Sequence, residues 1–165
     1  LDKFPDGQFV EDTALCLPEA VILMRPGAPS RLGEVCEIEP QLRDLFKAVY
    51  EIKKPGHIEG GDILVTGKEI LVGRSARTNE NGVSQLSEIV TPLGYVMREV
   101  FTPPEILHFK TDCSLLGPDE ILSTKRLQNS GCFDGYQVIN VADGEEASAN
   151  AIRDRKSTRL NSSHQ

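Results

Sequence analysis

Residues 12–24 read DTALCLPEAVILM, residues 62–73 read DILVTGKEILVG and residues 112–123 read DCSLLGPDEILS. Each stretch is an acid, a short apolar run, a turn carrying Pro or Gly, a Glu, and a second apolar run. Two strand-length apolar runs around such a turn spell a β-hairpin. The three copies start at Asp12, Asp62 and Asp112, 50 residues apart, so the chain reads as repeats of one supersecondary unit.

The segments after the hairpins repeat as well. In the first copy Ser30 is placed to cap a helix through Val35, Ile38, Leu42 and Leu45, with Pro40 predicting a break or a second start, and 48–52 closes as a strand. In the second, Asn79 precedes Val83, Leu86 and Ile89 at helical spacing, and a strand comes next over 95–100. The third copy predicts a short helix near 124–129 and a strand over 137–141. The unit is therefore ββαβ, and the fold class is α/β. Units of this kind cannot bury their own apolar faces and close against neighbours in a ring or stack. Three copies point to part of a larger propeller.

Composition narrows the class of protein. The 165 residues are 39% hydrophobic and 26% charged with no Trp, the profile of a globular unit rather than an acidic disordered chain. Apolar runs such as 20–24 are far short of the roughly 20 residues that span a bilayer, so no membrane helix is predicted. A net charge of −7 works against a phosphate-binding surface and so against nucleic acid as a partner. Cys16, Cys36, Cys113 and Cys132 form no CxxC pair and have no His at zinc spacing, which suggests neither a metal site nor a disulfide framework. A reducing cytoplasm is the default, and all four are read as structural thiols of the commonly buried kind.

The last twelve residues depart from the rest. Residues 154–164, DRKSTRLNSSH, lack apolar periodicity and back-translate codon for codon to a widely used sequencing-library adapter. They are read as a non-native tail, with residues 1–153 as the authentic part, a fragment open at both ends.

If the three hairpins are equivalent, the residues just before each first strand converge near the pseudo-symmetry axis. These are Glu11 with Asp12, Glu59 ahead of Gly60-Gly61, and His108. Carboxylates and an imidazole gathered at one point can hold a planar cation and move protons on it. Paired glycines fit there because they permit either close backbone approach or positive φ. Each residue alone has a plainer reading, as a solvated strand start, a turn or a satisfied strand histidine. Arg25 and Arg77, each soon after its own hairpin, could bind a carboxylate bidentately or simply lie on the surface. Asp6, between Pro5 and Gly7, reads as a turn former, and His57 has no assigned role. Cys113 lies five residues from His108, an odd offset that in an extended strand sends the two side chains to opposite faces.

Phe4-Pro-Asp-Gly-Gln-Phe-Val-Glu-Asp12, Arg25-Pro-Gly-Ala-Pro-Ser-Arg31, Ile58-Glu-Gly-Gly-Asp62, Arg77-Thr-Asn79 and Leu107-His-Phe-Lys110 closely resemble the dimethylarginine dimethylaminohydrolases, guanidine-modifying enzymes of the pentein superfamily. Glu-Gly-Gly-Asp is shared across penteins; the first two strings are more specific. The resemblance implies a propeller of five ββαβ modules, of which about three are present. It implies hydrolysis of Nω-methylated arginine to citrulline and a methylamine, with no metal and no organic cofactor. Asp12 and Glu59 would grip the guanidinium, and His108 would be general acid and base. Asp6 would meet the substrate's α-ammonium, and Arg25 and Arg77 its α-carboxylate. Glu11 lies in the matching motif with a less defined role, and Asp62 reads as a turn or supporting residue. The family's nucleophile is a cysteine of the fifth module; no cysteine here matches it, so residues 1–165 alone are expected to be inactive. The rival readings are arginine deiminase or amidinotransferase, and a non-catalytic pentein that binds a macromolecule.

Overall fold

The structure is a computed structural model that describes residues 3–153 and 158–160. The first hairpin is β1 (Ala14–Cys16) and β2 (Val21–Leu23), followed by helix α1 (Glu34–Leu45) and β3 (Val49–Glu51). The second copy is β4 (Ile63–Val65), β5 (Ile70–Arg74), α2 (Glu80–Val90) and β6 (Met97–Phe101). The third is β7 (Cys113–Leu115), β8 (Glu120–Ser123), α3 (Lys125–Gln128) and β9 (Gln137–Asn140).

The three-stranded sheets of the three copies share one topology. The hairpin strands pair antiparallel, as in Leu15 opposite Ile22, Leu64 opposite Leu71 and Ser114 opposite Leu122. The returning strand pairs parallel to the second hairpin strand, as in Ile22 with Tyr50, Val72 with Glu99 and Ile121 with Val138. A parallel neighbour needs a crossover, which the helix supplies. The middle strands lie between two partners, and all of β2 and most of β5 are buried, which matches their unbroken apolar runs.

The chain divides into two compact units that do not follow the repeat. One runs to Asp62 and adds residues 76–94; the other holds residues 63–75 and everything from Tyr95 on. The first unit contains the first sheet, α1 and α2, and buries Ile22, Leu23, Met24, Ile58, Val83 and Leu86. The second contains the other two sheets and a core of Leu64, Leu71, Ile121, Leu127, Phe109 and Phe133, the two rings 5.7 Å apart. Arg98 also donates to Glu69 there, from Nη2 at 2.8 Å, and Tyr136 donates at 3.1 Å.

Two local expectations are corrected. Ser30 does not cap α1: it lies in a 3-10 turn, Pro29–Arg31, and the helix starts later, with Gly33 at its N-cap. Nor does Pro40 break that helix, which runs through it to Leu45. Pro40 forfeits one internal hydrogen bond, and its ring is exposed, where it displaces no packed neighbour. α2 starts as expected after Asn79, whose Oδ1 accepts from Gly82 N at 2.9 Å, and α3 starts after Thr124, whose Oγ1 accepts from Leu127 N at 3.3 Å.

The thiols also differ from expectation. Cys113 and Cys132 are buried, but Cys16 and Cys36 are exposed, at the outer end of β1 and on the surface of α1. Among the described residues no helix is long and apolar enough to cross a membrane. The expectation of a non-native tail falls on residues 154–165, which lie outside the described residues except for 158–160. These form β11 (Thr158–Leu160), antiparallel to β10 (Ala151–Arg153).

Candidate functional site

Before each hairpin the chain makes a 3-10 turn, at Val10–Thr13, Gly60–Asp62 and Phe109–Thr111. The repeat acids Asp12 and Asp62 end up buried inside these turns, and Asp112 is buried just after the third. A carboxylate taken out of water must be given donors. Each acid is therefore anchored by a different set.

Asp12 Oδ1 accepts from Gly61 N at 2.7 Å, and Oδ2 accepts from Arg31 Nη1 at 2.5 Å. Arg31 is itself buried and donates to Glu34, from Nε at 3.0 Å and from Nη2 at 2.7 Å. Its Nη2 also meets the Phe9 carbonyl at 2.9 Å. Burial opposes the Arg31 charge, but hydrogen bonds to Glu34 and Asp12 outweigh it and hold the guanidinium above its ordinary value. Sequence alone places Arg31 inside a motif but gives it no role. An arginine three residues before a glutamate at a helix start was the available signal.

Gly60 resolves an open alternative. The left-handed glycines are Gly94, Gly131, Gly135 and Gly144. Gly60 is instead a point of close approach, because a Cβ there would overlap the Glu11 carbonyl oxygen. The Glu11 main chain lies directly against Gly60, and the Asp12 side chain bonds the next residue, Gly61. Glu11 itself is exposed while Asp12 is buried, so the two adjacent acids serve different environments.

Glu59 is fully buried. Its Oε1 accepts from Gly27 N at 2.9 Å and from Ala28 N at 3.2 Å, and lies 3.6 Å from Arg77 Nη1. The Arg25–Arg31 motif thus contributes backbone donors to a carboxylate 32 residues away. Arg25 directs Nη1 to the Gly56 carbonyl at 3.1 Å, and its backbone bridges Ile58. Arg77 is half-buried beside Glu59, and its carbonyl is met by His57 Nδ1 at 3.0 Å. A carbonyl only accepts, so this His57 nitrogen carries a proton. His57, left without a role from sequence, therefore fixes the Arg77 main chain. Asp6 is half-buried in a turn whose carbonyl accepts from Phe9 N at 2.9 Å.

In the second unit, His108 is the N-cap of the turn Phe109–Thr111 and is half-buried. Its ring accepts from the Thr111 backbone, and its own N–H meets Thr111 Oγ1 at 3.3 Å. Cys113 is not related to His108 by strand alternation, because that turn intervenes. Its thiol donates to the Phe109 carbonyl at 3.3 Å, and burial pushes it well above the ordinary cysteine value. Burial raises Cys132 as well.

The ββαβ repeat is that of a pentein, and the chain belongs to the arginine deiminase family, whose model matches residues 2–162. Within that family it is 34% identical over 152 residues to N(G),N(G)-dimethylarginine dimethylaminohydrolase of Pseudomonas aeruginosa, covering 92% of this chain and 59% of that protein. The protein of the same name from Streptomyces coelicolor is 40% identical over 119 residues, covering 72% and 45%. A solved structure of the Pseudomonas protein, a cysteine-to-serine variant complexed with citrulline, superposes with a TM-score of 0.91 at 33% identity, over 96% of this chain and 62% of that one. The α/β fold expected from the repeat, and the pentein fold implied by the resemblance, are thereby established. The chain spans about half to three fifths of the length of these curated relatives.

Proposed function

We propose that the protein to which this chain belongs hydrolyses Nω-methylated arginines to citrulline and a methylamine. The observation that carries the reading is Glu59, a carboxylate with no exposure held by two backbone N–H groups between two arginine-bearing motifs. The likeness to two proteins named dimethylarginine dimethylaminohydrolase supports the substrate class.

Glu59 and Asp12 are assigned to the guanidinium, whose carbon becomes more electrophilic when its N–H groups are oriented on fixed acceptors. A cysteine thiolate, matched by no cysteine of residues 1–153, attacks that carbon. The C–N bond to the methylated nitrogen breaks, and His108 gives the departing amine its proton. His108 then takes a proton from water, whose oxygen replaces sulfur at the same carbon, releasing citrulline and the thiolate. No metal or organic cofactor enters this scheme. Arg25 and Arg77 are assigned to the substrate α-carboxylate, Asp6 to its α-ammonium and Glu11 to the same substrate pocket. The substrate is a small molecule, and a cytoplasmic location is part of the proposal, in keeping with four free thiols.

The test is to assay the full-length protein with dimethylarginine and with arginine. Citrulline with dimethylamine, and little turnover of arginine, supports the reading. Citrulline with ammonia from arginine favours the second reading, arginine deiminase, which the name of the matching family model keeps in view.

A further inference from the structure

The tripeptide Arg77-Thr78-Asn79 grips residues 55–62 at three points. The Arg77 carbonyl holds His57 Nδ1. Asn79 Oδ1 accepts from His57 N at 3.0 Å, and its Nδ2 donates to the Pro55 carbonyl at 3.0 Å. The third point is Thr78, buried at 2% exposure, whose hydroxyl donates to Asp62 Oδ2 at 2.6 Å and accepts from the Glu59 backbone N–H at 3.4 Å. One hydroxyl uses its donor and an acceptor position in the same turn.

An internal comparison separates support of the fold from support of the site. In the third copy Thr124 Oγ1 donates to Asp112 Oδ2 at 2.6 Å, the same pairing of threonine with repeat acid. There, however, the hydroxyl accepts from Leu127 N and so caps α3. In the second copy the cap is made by Asn79 instead, which releases the Thr78 acceptor for the Glu59 N–H.

We propose that Thr78 is a positioning residue that, with Asp62 behind it, sets the backbone from which the Glu59 carboxylate projects. The inference rests on the reading of Glu59 as a guanidinium-binding group. A buried N–H that loses its acceptor is costly, so the Glu59 peptide shifts to find another partner when the hydroxyl is removed. A displacement of about 1 Å at a reacting group can cost on the order of 100-fold in rate.

The experiment compares Thr78→Val, Thr78→Ser and Thr124→Val in the full-length protein. Thr78→Val is expected to lower kcat about 10- to 100-fold with KM changed much less, Thr78→Ser to recover most of it, and Thr124→Val to lower the melting temperature with kcat retained. Hydrogen exchange at the Glu59 amide gives a readout independent of turnover. It should speed up about 5- to 10-fold in Thr78→Val and stay near the parent rate in Thr78→Ser. Unchanged exchange in Thr78→Val overturns the inference whatever substrate the protein takes, as does equal loss of kcat in Thr78→Val and Thr124→Val. Absence of citrulline from the unsubstituted protein instead overturns the functional reading, and the exchange rates still decide the role of Thr78.

Discussion

Arg31 Nη1 donates to Asp12 Oδ2 at 2.5 Å, and neither side chain is more than 7% exposed. The same guanidinium also satisfies Glu34, whose side chain is fully buried. One cation thus pairs with two interior acids.

Arg31→Met is expected to be among the most destabilising single changes in the chain. It leaves two carboxylates buried without their cation, and breaking such a pair from one side costs about 3–5 kcal/mol. Urea unfolding of the full-length protein measures it. A loss below about 1 kcal/mol, the range of an exposed pair, would show that Asp12 and Glu34 find other partners. Arg43, paired with Glu39 on the exposed face of α1, supplies the contrast.

Glu59→Gln is expected to lower turnover more than Arg77→Lys. Glu59 is proposed to touch the reacting guanidinium, where charge changes in the transition state, and losing one such partner typically costs about 100- to 1000-fold. Arg77 is proposed to hold a remote carboxylate, so its loss should raise KM more than it lowers kcat. Steady-state kinetics on both variants decide it; parent-like kcat in Glu59→Gln removes that residue from the catalytic set.

Gly60→Ala is expected to destabilise the turn and to impair the site together. The added methyl meets the Glu11 carbonyl oxygen, which is main chain and cannot swing aside as a side-chain tip would. Overpacking of this kind costs about 1–3 kcal/mol. Gly67→Ala, whose nearest neighbours stand 3.5 Å or more away, should be tolerated. Thermal melts of the two variants make the comparison.

Acid should weaken the second unit partly through Glu69. Hydrogen bonds from Arg98 hold this carboxyl below the ordinary glutamate value, more than burial raises it. Its contribution is therefore complete above the unfolded value of about 4.3 and is lost as pH falls through the lower folded value. Glu69→Gln removes the pH-dependent part, so the gap in urea midpoint between parent and variant should narrow between about pH 6 and about pH 3. A constant gap would mean that Glu69 titrates normally in the fold.

Thiol labelling of the native protein should modify Cys16 and Cys36 and spare Cys113 and Cys132. The buried pair is shielded by the core, whereas Cys16, which burial also raises, and Cys36 are exposed to reagent. Peptide mapping by mass spectrometry reads this directly; early modification of Cys113 would show that the Phe109–Phe133 core opens on the labelling timescale.

The 50-residue recurrence of hairpin signals determined the ββαβ unit, and with it the order of strands in each of its three sheets. Alternation of short apolar runs with turns is a local property, and so are the caps at Asn79 and Thr124, since each needs only residues within one helical turn. Glu59 and Asp12 were legible as candidates because they recur at equivalent points. Their partners were not. Gly27 and Ala28 reach Glu59 across some 30 residues, Gly61 reaches Asp12 across 49, and Thr78 joins Asp62 to the Glu59 amide. Which donor meets a buried acid depends on where chain closure brings distant backbone, and no local periodicity encodes that. The same holds for the thiols: residue type made all four candidates for burial, but whether a cysteine faces the core or the solvent was decided by which side of β1 and α1 found something to pack against.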